Sequence, residues 1–439
     1  MGKCIVISDG DKIKTIREKY NLKQDEISGN DITRNLISEI ETNKANITKK
    51  TAEVIIKNLT ELAKKKGFKV TETVEYLMEN QIEQANKVLD DYIEELKTLV
   101  ISKDSSFIET LKKAEGFLID WDIKDKKLKI YELAGDYFCN QNDFYKSSIY
   151  YEKVNALINK RQSTKELLNI LRKLSMVYFY VEKYKESIEC SEFAIIYFSD
   201  MDNKNKAVFF YNSALCYEKL KDFSRAIDSF DEVEKIIDKS DENKYVQILI
   251  GKATCLLLLK KYDEALKIFN KILELVNQND IEKYLITLVN MSNVYIEIND
   301  NSKVNEILEI ILKQVENINI NFTYVSDIYI EIGKMFKYLN NIERAEEFYL
   351  KSLEFAKENK NYFLIEDILL SLIDIYKDLN VKEKVDDIKE AFFKLSIKKE
   401  KISQKLLCKL TDFYLNISDI ESLKQINNLH LNILNKDVI

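Results

Sequence analysis

The chain has 439 residues, 46% of them hydrophobic and 32% charged, with a formal net charge of −7. That length exceeds one ordinary core, so two or more domains are expected. Proline is absent and glycine occurs only 8 times, and a chain so poor in helix breakers and turn formers is expected to be all-α. His430 is the single histidine, which argues against a histidine-based catalytic triad or metal triad. The six cysteines, at 4, 139, 190, 216, 255 and 408, include no C-x-x-C pair, so free or buried thiols in a reducing cytosol are expected, with no metal, no cofactor and no enzymatic site. The first apolar run is too short for a signal peptide, and no stretch of about 18 apolar residues suggests a membrane span.

Charge is unevenly distributed. Residues 1–70 hold 15 Lys+Arg against 10 Asp+Glu, a net of +5, and the remainder carries −12. A small basic segment on a large acidic one fits a nucleic-acid-binding head on a body that does not bind nucleic acid.

The basic segment predicts four helices. Asp9 or Asp11 caps the first, which carries Ile13, Ile16 and Tyr20. A second runs over Lys23–Ser28, and the break Gly29-Asn30-Asp31 leads to a third over about Thr33–Thr42. Thr33 is its N-cap candidate and Asn43 a left-handed C-cap. Arg34, Asn35, Ser38 and Glu39 share one face of this third helix, while Ile37 and Ile40 point the other way. The fourth follows Thr48, carries Ala52, Ile55, Ile56 and Leu59, and ends in Lys64-Lys65-Lys66 before Gly67.

Gly10-Asp11-Lys12-Ile13 with Ile16-Arg17, then Leu22 to Ile27, then Ile32 to Glu41, resemble the lambda-repressor-like (Xre-type) helix-turn-helix domain over about residues 8–66. The resemblance implies that Gln24, at the start of the second helix, touches DNA, that Arg34 and Asn35 reach base edges, and that Glu39 faces the groove. Thr33 and Ser38 share that surface. Gln24 and Lys44 are the expected phosphate contacts, Arg34 suits guanine and Asn35 adenine. The connection between the second and third helices is one residue shorter than in phage repressors, and Glu39 is an acid where an amide is common.

Residues 70–127 change pattern. Thr71–Val100 predicts one long helix or two in series, with Val74, Leu77, Met78, Ile82, Ala85, Val88, Leu89, Ile93 and Leu96 on an apolar stripe, and another helix covers Phe107–Trp121. This segment is a packed connector, or a linker helix that couples domain movement to the head, or a dimer contact.

Beyond it the chain repeats. Aligning Phe144, Tyr184, Phe223, Tyr262, Asn301 and Ile342 gives a period of 39 to 41. Nine residues before each marker stand Gly135, Ser175, Ala214, Ala253, Ser292 and Gly333, all small. Seven after stand Tyr151, Ser191, Phe230, Phe269, Leu308 and Tyr349, and six before stand Phe138, Tyr178, Tyr217, Leu256, Tyr295 and Phe336. This looks like the tetratricopeptide pattern, stretched by about a turn of helix per repeat beyond the family's usual period. Six repeats are clear over roughly 128–361, and degenerate copies with a cap surround Tyr376 and Tyr414.

An Xre-type head followed by a long-period tetratricopeptide body resembles the RRNPP group of peptide-pheromone receptors. The resemblance implies an all-α chain with a right-handed α-solenoid. It also implies a cytoplasmic homodimer, transcription regulation through a double-stranded DNA operator, and quorum sensing by a short signalling peptide bound in the solenoid. No membrane partner is implied. The domains expected are 1–69 (head), 70–127 (linker helices or degenerate first repeat) and 128–439 (repeats). Asparagine both donates to and accepts from an extended peptide backbone. Asn212 and Asn290 occupy one repeat column, Asn293 lies a turn on, and the setting of Asn212 matches the peptide-gripping Asn of the resembled family best. Lys173 and Lys334 are candidates for an acidic group of the ligand, with Tyr211 and Gln247 beside the same face. The competing readings are a protein-interaction scaffold or antagonist of a signalling protein, and a dimeric regulator with no peptide ligand.

Overall fold

The structure is a computed structural model, and it describes residues 6–160, 164–276, 280–315, 324–359, 361–399 and 402–434. Cys4 lies outside the described residues. Those described are helical or in turns, with no strand among them. The chain divides into two compact units, Met1–Met201 and Asp202–Ile439.

The first unit begins with α1 (Asp9–Lys19), α2 (Gln24–Ser28), α3 (Arg34–Glu41) and α4 (Lys49–Lys66). Ser8, rather than Asp9 or Asp11, caps α1: its Oγ accepts the Asp11 N–H at 3.1 Å, and both acids lie in the first turn, where the helix dipole favours them. Thr33 and Thr48 cap α3 and α4, Asn43 takes φ 56°, and Gly67 ends α4 at φ 77°. Ile13, Ile16, Ile27, Ile37, Ile40, Ile55 and Leu59 form the core of this bundle. Gly10 permits close approach of α1 to α3, since a Cβ there would strike the backbone carbonyls of Ile40 and Glu41.

The connector is two helices, α5 (Val74–Met78) and α6 (Gln81–Ser102), followed by α7 (Phe107–Asp120). The break falls where Asn80 caps α6 in a reciprocal box with Glu83. It shifts the phase of the apolar stripe. Leu77 joins the bundle core, whereas Leu89, Ile93 and Leu96 pack with Phe107 and Leu111, and Met78 and Ile82 are left exposed. Lys12 is fully buried and donates its ammonium to the Glu79 carbonyl at this break.

Helical hairpins follow. In the first unit they are α8/α9 (Lys124–Asn140, Phe144–Leu157) and α10/α11 (Lys165–Tyr180, Tyr184–Tyr197). The second unit holds α12/α13 (Asn203–Lys219, Phe223–Ile236), α14/α15 (Glu242–Leu258, Tyr262–Leu275) and α16/α17 (Ile281–Glu297, Asn301–Val315). It continues with α18/α19 (Val325–Tyr338, Ile342–Glu358), α20/α21 (Tyr362–Asp378, Lys382–Lys399) and α22/α23 (Gln404–Asn416, Ile420–Leu434). The segments around Tyr376 and Tyr414 are therefore hairpins too. In α12/α13 and α14/α15 the first helix has 17 residues and the second 14.

Every hairpin turns the same way without glycine. Asn142, Glu182, Lys221, Lys260, Asn299, Asn340, Asn380 and Ser418 stand at φ 52–62°. The next N–H bonds back to the carbonyl of the aromatic or leucine column, as in Asp143 to Phe138 and Asp300 to Tyr295, both 2.9 Å. Small and large columns then interlock. Gly135 lies under Tyr151, Gly333 under Tyr349, and Ala214, Ala253, Phe230 and Phe269 are fully buried.

Candidate functional site

Helix α3 presents two unlike faces. Ile37 and Ile40 are fully buried, and Thr33, Arg34, Asn35 and Glu39 are exposed, with Ser38 half-buried between them. Lys44 is exposed just beyond the helix, its backbone N–H bonded to the Glu39 carbonyl at 2.8 Å. Among the described residues no ion pair engages Arg34, Glu39 or Lys44. Glu41, at the end of the same helix, is engaged elsewhere: its Oε1 accepts from Arg17 Nε and its Oε2 from Gln24 Nε2, both at 2.8 Å. The Arg17 guanidinium is held above its ordinary range by the hydrogen bond to Glu41. Sequence reasoning missed Glu41, since nothing in the spacing of Arg17, Gln24 and Glu41 says that three helices bring them together.

The residues expected to meet a peptide fall in both units. In the first, Lys173 donates to Glu132 Oε1 at 2.8 Å and Asp136 Oδ1 at 2.7 Å, and lies 5.4 Å from the centre of the Tyr151 ring. Asn169 shares Glu132, and the Tyr151 hydroxyl donates to Asp136. The Lys173 charge is thus met by two carboxylates of its own unit.

In the second unit Asn212 is nine-tenths buried on α12, and Tyr211 stands edge-on to Phe230 with ring centres 6.1 Å apart. Gln247 is exposed on α14. Asn290 donates to the Ile286 carbonyl of its own helix at 2.8 Å. Asn293 and Lys334 converge on one acid, donating to the two oxygens of Glu331 at 2.9 and 2.6 Å.

Two further acids belong to this neighbourhood. Burial pushes the Asp327 carboxyl up to about 6, reinforced by Glu331 and Asp367 and opposed by Lys334. Asp367 reaches solvent but is closely surrounded by protein. Desolvation raises it, and Lys334, Lys405 and Lys219 oppose the rise. No sequence signal distinguishes these two from the many other acids of the chain.

Residues 326–359, the hairpin α18/α19, match the tetratricopeptide repeat. The array is tetratricopeptide-like. Residues 110–323 match the family model of soluble NSF attachment protein, SNAP. No curated protein matches the chain. Solved structures resemble it at low identity. A tetratricopeptide repeat protein from Parabacteroides merdae is 17% identical over 64% of this chain and 98% of its own, with a TM-score of 0.48. The apo quorum sensor NprR from B. thuringiensis is 16% identical over 77% and 99%, with a TM-score of 0.41. NprR in complex with its cognate peptide NprX is 16% identical over 79% and 99%, with a TM-score of 0.45. Among the described residues no helix is long and apolar enough to cross a membrane.

Proposed function

We propose that the chain is a DNA-binding transcription regulator of the cytoplasm, with an Xre-type helix-turn-helix head at 1–69, linker helices at 70–127, and a repeat region at 128–439 that binds a short signalling peptide. It acts as a homodimer on a double-stranded operator, in quorum sensing of the RRNPP kind, and is not an enzyme. The observation that carries the reading is the division of α3: Ile37 and Ile40 sit in the core, and Arg34, Asn35 and Glu39 turn outward on the most basic part of an acidic chain. A guanidinium and an amide on one helix face are the groups that read guanine and adenine in the major groove.

For the ligand, the support is the set of polar groups on the first helices of the repeats. Asn212, Asn290 and Asn293 supply amides for a peptide backbone, and Tyr211 and Gln247 flank them. Lys334 and Lys173 are already paired with carboxylates, so a ligand acid has to displace Glu331, or Glu132 and Asp136.

The test is binding of the purified chain to DNA upstream of its own gene, measured against salt, and then titrated with peptides encoded by small neighbouring reading frames. Binding that weakens steeply with salt and prefers that DNA supports the head. Indifference to every peptide removes the ligand. The match of 110–323 to a family named for attachment to another protein favours a second reading, a protein-interaction array. Failure of the chain to bind any DNA turns the choice to it.

A further inference from the structure

Glu41 closes α3, and its side chain is only 8% exposed. Its two oxygens reach back to two other helices, Oε1 to Arg17 Nε of α1 and Oε2 to Gln24 Nε2 at the start of α2, each at 2.8 Å. Arg17 is itself fixed by a longer bond from Nη1 to the Leu22 carbonyl at 3.4 Å. A carboxylate only accepts hydrogen bonds, whereas a glutamine amide has a donating and an accepting end. Glu41 therefore settles which way the Gln24 amide faces: nitrogen towards the carboxylate, with one N–H engaged and the second left over. The Arg17 guanidinium in turn keeps the carboxylate in place.

We propose that Glu41 is a positioning residue for DNA contact, locking the Gln24 amide so that its remaining N–H is offered to the sugar-phosphate backbone. This rests on the DNA-binding reading of the head. A phosphate also only accepts, so an amide presented nitrogen-first attracts it and one presented oxygen-first repels it. A side chain held in its binding orientation before contact loses less conformational freedom on contact. The role has a distinctive sign. Glu41 is an anion close to the surface proposed to meet DNA, so its charge alone weakens binding, and neutralising it should tighten binding. A positioning role demands the opposite.

The experiment uses the full chain and a labelled duplex from the region upstream of its own gene, beside a shuffled duplex. Glu41→Gln is expected to weaken binding about tenfold on both, the lower end for one hydrogen bond to a charged acceptor, although it removes a negative charge. Gln24→Ala is expected to weaken binding by a similar factor, and the double variant to be no weaker than either single one, because both remove the same contact. Glu41→Asp keeps the charge but withdraws the carboxylate, is expected to weaken binding likewise, and replaces Glu41→Gln should that variant not melt cooperatively. Equal or tighter binding by Glu41→Gln, or losses that multiply in the double variant, overturns the proposal while leaving the DNA reading intact. A wild-type chain that binds neither duplex overturns both.

Discussion

The ring of Tyr349 occupies the space that a Cβ on Gly333 would need, and Tyr151 does the same above Gly135. The two residues of each pair lie at one register on the two helices of a hairpin. In the α12/α13 and α14/α15 hairpins that register holds Ala214 with Phe230 and Ala253 with Phe269. In these four pairs glycine shares its register with tyrosine and alanine with phenylalanine.

Gly333→Ala should therefore destabilise the chain by about 1–3 kcal/mol, the usual range for overpacking a filled core. The change is measured as a shift in the denaturation midpoint. Adding Tyr349→Leu takes away the ring carbons that the new methyl would meet and should recover part of the loss, so the double variant is more stable than the sum of the singles. Strict additivity would show that the two side chains do not share the space.

The hairpin turns make a second prediction. Lys221 and Lys260 hold φ of 62° and 60°, a region that costs an L-residue about 1–2 kcal/mol. Lys221→Gly and Lys260→Gly relieve that strain but free the unfolded chain, and each is expected to raise stability by about 0.5–1 kcal/mol net. The same exchange at Asn299 should give less, since asparagine tolerates this conformation better. Urea melts of the three variants decide it.

A pH dependence follows from Asp327. Its carboxyl is pushed up to about 6 by burial, from an ordinary value near 3.8. The folded state thus binds this proton more tightly than the unfolded state. Stability from this group is fully present below the unfolded value and is lost as pH rises from about 4 to about 6. Asp327→Asn removes that loss. It should leave stability nearly unchanged at pH 4 and raise it by about 1–2 kcal/mol at pH 7, a figure already reduced for partial access to solvent. An effect that is the same at both pH values would place the group at its ordinary value.

On the proposed DNA face, Arg34→Ala should relax discrimination at one base pair in each half-site by about 1–3 kcal/mol. Lys44→Ala should weaken binding on all sequences alike and make its salt dependence shallower. Binding measured on a panel of single-base operator variants separates the two. Equal loss on every variant for Arg34→Ala would reassign that residue to the phosphates.

Much of the architecture was legible without coordinates because it depends on local rules. Thr33 and Thr48 cap helices, Asn43 and Gly67 end them, and a 39-to-41-residue recurrence of small and aromatic positions specifies stacked hairpins. The lack of proline and the scarcity of glycine leave helix as the cheapest backbone almost everywhere. Even the irregular copies at Tyr376 and Tyr414 keep the column that the turn bonds to.

What the sequence leaves undecided is where polar side chains find their partners, since those contacts join residues far apart in the chain. The apolar stripe of 74–96 reads as continuous, but the capping box at Asn80 and Glu83 breaks the helix, shifts its phase and exposes Met78 and Ile82. Lys173 reads as a cation facing a ligand, yet Glu132 and Asp136 of the preceding hairpin meet its charge. Residue order alone fixed the helices, their turns and the interlocking of small with large. Only the tertiary fold decided that Glu41 faces Gln24 rather than Arg34, because that choice depends on where the first three helices cross, and hydrogen bonds act over about 3 Å whatever the separation in sequence.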